Sequence, residues 1–251
     1  MSAASRILVT RPGEGGERLA KALSEAGFMP AHPTLMHLQP LGVDEVKRAA
    51  LLDIDQYAVV VVTSPFAAEC LVEWLDRYWP QLPQGPRFYA LGVATAATLH
   101  RGLGIKASLP DPEQGTTSEA LLAMRSLARL DGQRALVVGG VGGRQALAQT
   151  LEARGARTSK LALYRRVYTA PDEAAAGWLA TGDFTTMIVT SGELLEHLVI
   201  WCGQAALNKP LIVSSQRLAT LADTMGFASL HVAQGATPEA LVSAVQEVGD
   251  T

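Results

Sequence analysis

Cysteine is scarce: the 251 residues hold only Cys70 and Cys202, each inside an apolar helical pattern and neither with a Cys or His at a ligand spacing. A disulfide framework and a thiolate metal site are therefore excluded as organising features, and both thiols read as small buried hydrophobes. Long apolar runs are missing as well. The longest, such as Ala58 to Val62, are far too short to span a bilayer. The opening Met1-Ser2-Ala3-Ala4-Ser5-Arg6 has no apolar segment of the export type, so a cytoplasmic protein is expected. Nor is there an excess of positive charge: the net charge is −3 and the pI about 6.0, which argues against a nucleic-acid partner. The histidines (His32, His37, His100, His197 and His231) are scattered and suggest no metal set.

Several catalytic signatures are also absent. Gly140-Val141-Gly142 invites a dinucleotide reading, but Gln145 stands where the last glycine of that fingerprint belongs. Arg144 follows the glycines without a Lys-Ser/Thr pair, so there is no Walker lysine. No nucleophile-elbow sequence is present either. A nucleotide cofactor and Ser-His-Asp chemistry both drop out.

What the chain does have is a repeated grammar of short apolar strands, turns and helices. With 48% hydrophobic and 18% charged residues it is an ordinary globular composition. Strands are expected at Ile7–Thr10, Ala58–Val62, Phe88–Leu91, Ala135–Val138, Met187–Val189 and Leu211–Val213. Helices are expected between them, among them 120–130 and 193–202, with a last one over 239–248. The alternation indicates an α/β protein with parallel sheets covered on both faces.

The halves also match block by block. Thr63-Ser64 pairs with Thr190-Ser191 at an offset of 190 − 63 = 127, and Ala97-Thr98-Leu99 with Ala219-Thr220-Leu221 at 219 − 97 = 122. Thr117 to Leu121 pairs with Thr237 to Leu241 at 237 − 117 = 120, and Ile7-Leu8-Val9 pairs loosely with Leu136-Val137-Val138. Four blocks in one order indicate a tandem duplication, and hence two similar flavodoxin-like parallel-sheet domains. The extended stretches 33–41 and 161–169 stand outside the βα grammar and are taken as a two-stranded connection. On that division residues 1–32 and 170–251 form a discontinuous domain, with 42–160 inserted as the second. Open α/β sheets bind ligands at the carboxyl ends of their strands, so an active site in the inter-domain cleft is expected.

At those strand ends lie the polar candidates. Gly139 to Gly143 hold four glycines, more than helix entry needs, and would let a ligand approach bare backbone. Thr63-Ser64, Thr190-Ser191 and Ser214-Ser215 sit where strands pass into helices. Capping and ligand binding both suit them, and the sequence does not separate the two. Tyr164 and Tyr168 alternate onto one face of an extended segment, where a packed tyrosine and a catalytic one look alike.

Taken in order, these blocks resemble the uroporphyrinogen-III synthase family. The pieces are Val9-Thr10-Arg11-Pro12, Thr63-Ser64, Leu91-Gly92-Val93-Ala94-Thr95-Ala96 and Gly140-Val141-Gly142-Gly143-Arg144. Leu163-Tyr164-Arg165-Arg166, Thr190-Ser191-Gly192 and Ser214 with the helix to Gly226 complete the set. One departure is Pro65-Phe66, where the family often has an asparagine soon after the serine. The resemblance implies two α/β domains joined by a two-stranded connection, and a hydro-lyase reaction on a linear tetrapyrrole. Hydroxymethylbilane loses its terminal hydroxyl as water and closes to uroporphyrinogen III with inversion of the last pyrrole, through an azafulvene and a spiro intermediate. No metal or organic cofactor is implied.

Tyr164 occupies the family's candidate position for the acid that assists the leaving hydroxyl, and a phenol keeps its proton at neutral pH. Arg11, Thr63, Ser64, Gly92, Gly140, Gly142, Arg144, Thr190, Ser191, Ser214 and Ser215 are the expected substrate-binding set. Helix N-termini and turn N–H groups would take most of the substrate carboxylates, which reconciles a polyanionic substrate with an acidic protein. A monomer is expected, with a transient contact to the preceding pathway enzyme as the one macromolecular partner. The rival reading is a two-lobed small-molecule sensor without turnover.

Overall fold

The computed structural model describes residues 6–111, 115, 117–143 and 145–249. The chain divides into two compact units, Met1–His37 with Val167–Thr251, and Leu38–Arg166. It starts with β1 (Arg6–Val9), α1 (Gly13–Glu25) and β2 (Met29–Ala31) of the first unit. The second unit follows as β3 (Met36–Pro40), α2 (Glu45–Leu52), β4 (Val59–Val62), α3 (Pro65–Tyr78), β5 (Arg87–Ala90) and α4 (Val93–Leu103). It continues through α5 (Ser118–Leu122), β6 (Arg134–Gly140), α6 (Gln145–Ala153) and β7 (Arg157–Tyr168). The chain then returns to the first unit with α7 (Glu173–Thr181), β8 (Thr186–Val189), α8 (Gly192–Val199) and α9 (Gln204–Leu207). There β9 (Pro210–Val213), α10 (Gln216–Thr224), β10 (Ser229–Val232) and α11 (Pro238–Gly249) complete it.

The first unit's sheet has the order β10-β9-β8-β1-β2, with every neighbouring pair parallel. Counted within the unit this is 2-1-3-4-5, the doubly wound order of flavodoxin. The second sheet is β3-β7-β6-β4-β5, parallel from β7 to β5. A parallel bridge from Tyr89 to Ser108 extends it past β5. With β6 counted first, β7-β6-β4-β5 and the Ser108 bridge repeat the same order. Each sheet therefore draws on both halves of the duplicated sequence: β1 lies beside β8, and β6 beside β4. The extended stretches on either side of the second unit are themselves strands of its sheet, β3 and the end of β7.

The registers place the repeat more finely. Val9 lies opposite Ile188, and Val137 opposite Val61. Since 188 − 61 = 127, the offset of the threonine–serine blocks, Val137 corresponds to Val9 at an offset of 137 − 9 = 128. The expected pairing of Ile7 with Leu136 is thus displaced by one residue.

Burial explains the valine-rich strands. All four residues of β4 are fully buried, Val60 and Val62 against Leu136, Val138 and α3, and Val59 and Val61 against Val137 and α6. A strand covered on both faces has no polar side to display. Each such side chain contributes about 1.5–3 kcal/mol relative to exposure.

Two expectations need correction. The helix expected over 120–130 is only α5, followed by a 3-10 turn at Arg125–Leu127, because Met124 is extended. Tertiary contact overrides propensity there: the Arg154 guanidinium donates to the carbonyls of Leu122 (2.6 Å) and Leu127 (2.9 Å), which an uninterrupted helix would use itself. The helix expected over 193–202 ends at Val199. Strand β10 and the short α9 carry too little periodic pattern to be read from the sequence.

Arg154→Met removes both bonds while keeping the apolar stem. It is expected to lower stability by about 1–2 kcal/mol, read as a reduced urea midpoint. An unchanged midpoint would show that the break in the helix does not depend on Arg154.

Candidate active site

In each sheet the chain reverses its winding between the first and third strand of the unit, and that switch point is where open α/β sheets take ligands. The candidate residues lie at the carboxyl ends of the strands at and beside these points. In the first unit the turn after β1 carries Arg11, and the turn after β8 carries Thr190 and Ser191; Ser214 and Ser215 follow β9. In the second unit Thr63 and Ser64 follow β4, Gly92 follows β5, and Gly140 and Gly142 end β6 and begin its turn. Arg144 lies outside the described residues.

Tyr164 belongs to β7 and is 6% exposed. Its side is set by a bulge. Gly139 pairs with Ala162 but Gly140 with Tyr164, so Leu163 is an extra residue in the strand. Strict alternation would put Tyr164 on the Lys160–Ala162 side; the extra residue turns it to the side of Leu161 and Leu163. There its hydroxyl lies 3.1 Å from Ser64 Oγ, and its ring meets Phe66 edge-on at 5.2 Å. Ser64 Oγ also accepts from the Ala67 N–H at 3.1 Å, capping α3. Gly140 is small for the same reason: a Cβ on it would lie 2.7 Å from the Tyr164 ring. Val141 N–H donates to the Tyr164 carbonyl at 2.9 Å and ties the turn to the bulge.

Tyr168, read from the sequence as sharing a face with Tyr164, is in a different unit. Its hydroxyl donates to Glu193 at 2.7 Å, and its ring packs on His197 in the first unit's core.

The hydroxyl pairs, alike in sequence, now separate. Thr63 Oγ1 donates to the Val138 carbonyl at 3.0 Å, and Ser215 caps α10. Ser191 is the N-cap residue of α8 but makes no side-chain cap bond. Ser191, Thr190 and Ser214 are partly exposed, and their hydroxyls bond to no described residue. Gly92, extended at the N-cap of α4, leaves that helix end without a side-chain cap.

Arg11 is held rather than solvated, its Nη1 donating to the Ala236 carbonyl at 2.6 Å. Burial, and then the neighbouring Arg18, lower its pKa from the usual value. Burial pushes both thiols up to about 11, with Glu73 and Glu69 adding to the effect at Cys70, which marks them as unreactive.

Three features escaped the sequence reading. Buried Thr10 donates to the Ile188 carbonyl at 2.8 Å and closes the first unit's switch point. Gln145 and Lys160 line a concavity of about 110 Å³ beneath the glycine turn. Only the apolar–polar alternation around Lys160 hinted at its facing side.

A family model described as uroporphyrinogen-III synthase HemD matches residues 17–243. The chain belongs to the uroporphyrinogen-III synthase family. It is 35% identical over 250 residues to the uroporphyrinogen-III synthase of Escherichia coli (strain K12), covering 96% of this chain and 99% of the relative. The synthase of Salmonella typhimurium is 34% identical over 247 residues, with the same coverage. The solved uroporphyrinogen-III synthetase of Helicobacter pylori 26695 shares the fold at a TM-score of 0.63 and 14% identity, over 98% of this chain and 99% of that one. Uroporphyrinogen-III synthases are enzymes of haem biosynthesis, so the sensor reading finds no support.

Gly140→Ala is expected to force the Tyr164 ring off the Ser64 hydroxyl and cost about 1–3 kcal/mol of stability. Activity should fall with it. A variant as stable and active as the wild type would show that the ring is not confined by Gly140.

Proposed function

We propose that this chain closes hydroxymethylbilane to uroporphyrinogen III with Tyr164 as the proton donor and Ser64 as the residue that positions it. The observation that carries this reading is the hydrogen bond between the two hydroxyls. Because Ser64 Oγ already accepts from Ala67 N–H, its own proton is available to the tyrosine oxygen. The phenolic proton is then left for the substrate. It passes to the terminal hydroxyl, which departs as water, while the pyrrole nitrogens supply the electron push. Ser64 stabilises the phenolate formed. Attack by the substituted carbon of the last ring gives the spiro intermediate with no proton lost. After that intermediate opens, closure at the ring's free α carbon releases the proton, and the phenolate recovers it, so the enzyme ends as it began.

Because the bilane also closes unaided to the uninverted isomer, holding its last ring is the larger task. Thr190, Ser191 and Ser214 offer free hydroxyls, and Gly92, Gly140, Gly142 and Ser215 mark helix-entry N–H groups suited to carboxylates. Arg11 adds charge at the first unit's switch point, and Thr63 braces the second unit's. Among the described residues, no helix is long and apolar enough to cross a membrane. The protein is read as a cytoplasmic monomer that meets the preceding enzyme only in passing.

Tyr164→Phe keeps the ring and its packing while removing the acid. The rate of type III formation is expected to fall about 10²-fold with an unchanged melting temperature. Ser64→Ala is expected to lower kcat less and also to cost about 1 kcal/mol through the lost cap, whereas Ser64→Thr retains both. A folded Tyr164→Phe protein with the wild-type kcat would remove the tyrosine from the chemistry.

A further inference from the structure

We infer that the concavity beneath the second unit's glycine turn is a carboxylate subsite, and that Lys160 determines affinity for the substrate there. The inference rests on the proposed function and deepens it. The concavity, about 110 Å³, is lined by Thr63, Gly139, Gly140, Gly142, Gln145 and Lys160. Its size suits one carboxylate group, and a whole tetrapyrrole would not fit. Lys160 makes no ion pair and no side-chain hydrogen bond with any described residue, so its ammonium is free to take a counter-ion.

The duplication supplies the comparison that singles out this lysine. Ala31 pairs with Leu8 and Ser159 with Leu136. At the offset of 128 Leu136 corresponds to Leu8, so Lys160 corresponds to His32 (160 − 32 = 128). In the first unit that place is filled. His32 Nε2 is bonded to the Arg11 carbonyl at 2.6 Å, and a Cβ on Gly16 would fall 2.2 Å from the same nitrogen. In the second unit the residue corresponding to Arg11 is Gly139, that corresponding to Gly16 is Arg144, outside the described residues, and no side-chain hydrogen bond joins Lys160 to the Gly139 carbonyl. One fold position is thus closed by an internal hydrogen bond in one unit, while in the other it borders a concavity and its cation pairs with no described residue.

The concavity lies on the opposite side of the sheet from the Tyr164 ring, because Lys160 and Ala162 face away from Leu161 and Leu163. Lys160 therefore binds a peripheral carboxylate and takes no part in proton transfer. Its removal is expected to raise KM and leave kcat alone.

Steady-state kinetics with hydroxymethylbilane on wild type, Lys160→Met and Lys160→Arg test this. Lys160→Met is expected to raise KM about fivefold, the size of a half-exposed ion pair, with kcat within twofold and the same melting temperature. Lys160→Arg should restore most of the affinity, and the difference between variants should shrink as salt is raised. An unchanged KM in a folded Lys160→Met, or a loss confined to kcat, overturns the inference. A wild-type protein that forms no type III product would instead overturn the proposed function itself, so the two failures are distinguishable.

Discussion

The second unit's site depends on one hydrogen bond between two hydroxyls, Tyr164 and Ser64. Several separate features are needed to make it. A one-residue bulge turns the tyrosine to the helix α3 side of its strand. A glycine at position 140 leaves room for the ring, and Phe66 fixes its tilt edge-on. The serine is immobilised by capping α3, where Pro65 at the first helical position sets the turn. A phenol in the bare core would have no partner for its oxygen; here it has one whose orientation the helix start dictates.

The same logic runs through the paired units. Their sheets have one winding order, and each has a threonine hydroxyl donating across its switch point, Thr10 to Ile188 and Thr63 to Val138. What differs is how the space beneath the first turn is used. In the first unit His32 and Arg11 knit it shut, and Arg11 is drawn further onto the Ala236 carbonyl. In the second, the described residues leave a concavity of about 110 Å³ there, lined by Gly139, Gly140, Gly142 and Lys160 among others. The four glycines of that turn thus have two roles, since Gly140 makes room for Tyr164 on one side and Gly139 crowds against Thr63 on the other.

Much of this was legible in the sequence, and what was hidden has physical causes. Buried parallel strands such as Val59–Val62 announce themselves because neither face tolerates a polar residue. The cap at Ser64 was readable from local chemistry, whereas those at Asp44 and Asp172 were not picked out. Hidden were the effects of distant contacts. Arg154 ends a helix some thirty residues earlier in the chain, and a bulge reverses the side of Tyr164 with no glycine or proline in β7 itself to mark it. The hydroxyl pairs looked alike until the hydrogen bonds showed that Ser64 and Ser215 are engaged in capping while Ser191 is not. Lys160 gave no signal as a lone charge on a strand; only its correspondence with His32 gives it meaning.

The central claim is that this protein steers ring closure toward the inverted isomer. Its most direct test is the isomer content of the product when purified protein receives freshly generated hydroxymethylbilane with nothing else added. The account predicts predominantly type III uroporphyrinogen, formed faster than the spontaneous reaction. Type I product alone, at the spontaneous rate, would contradict it.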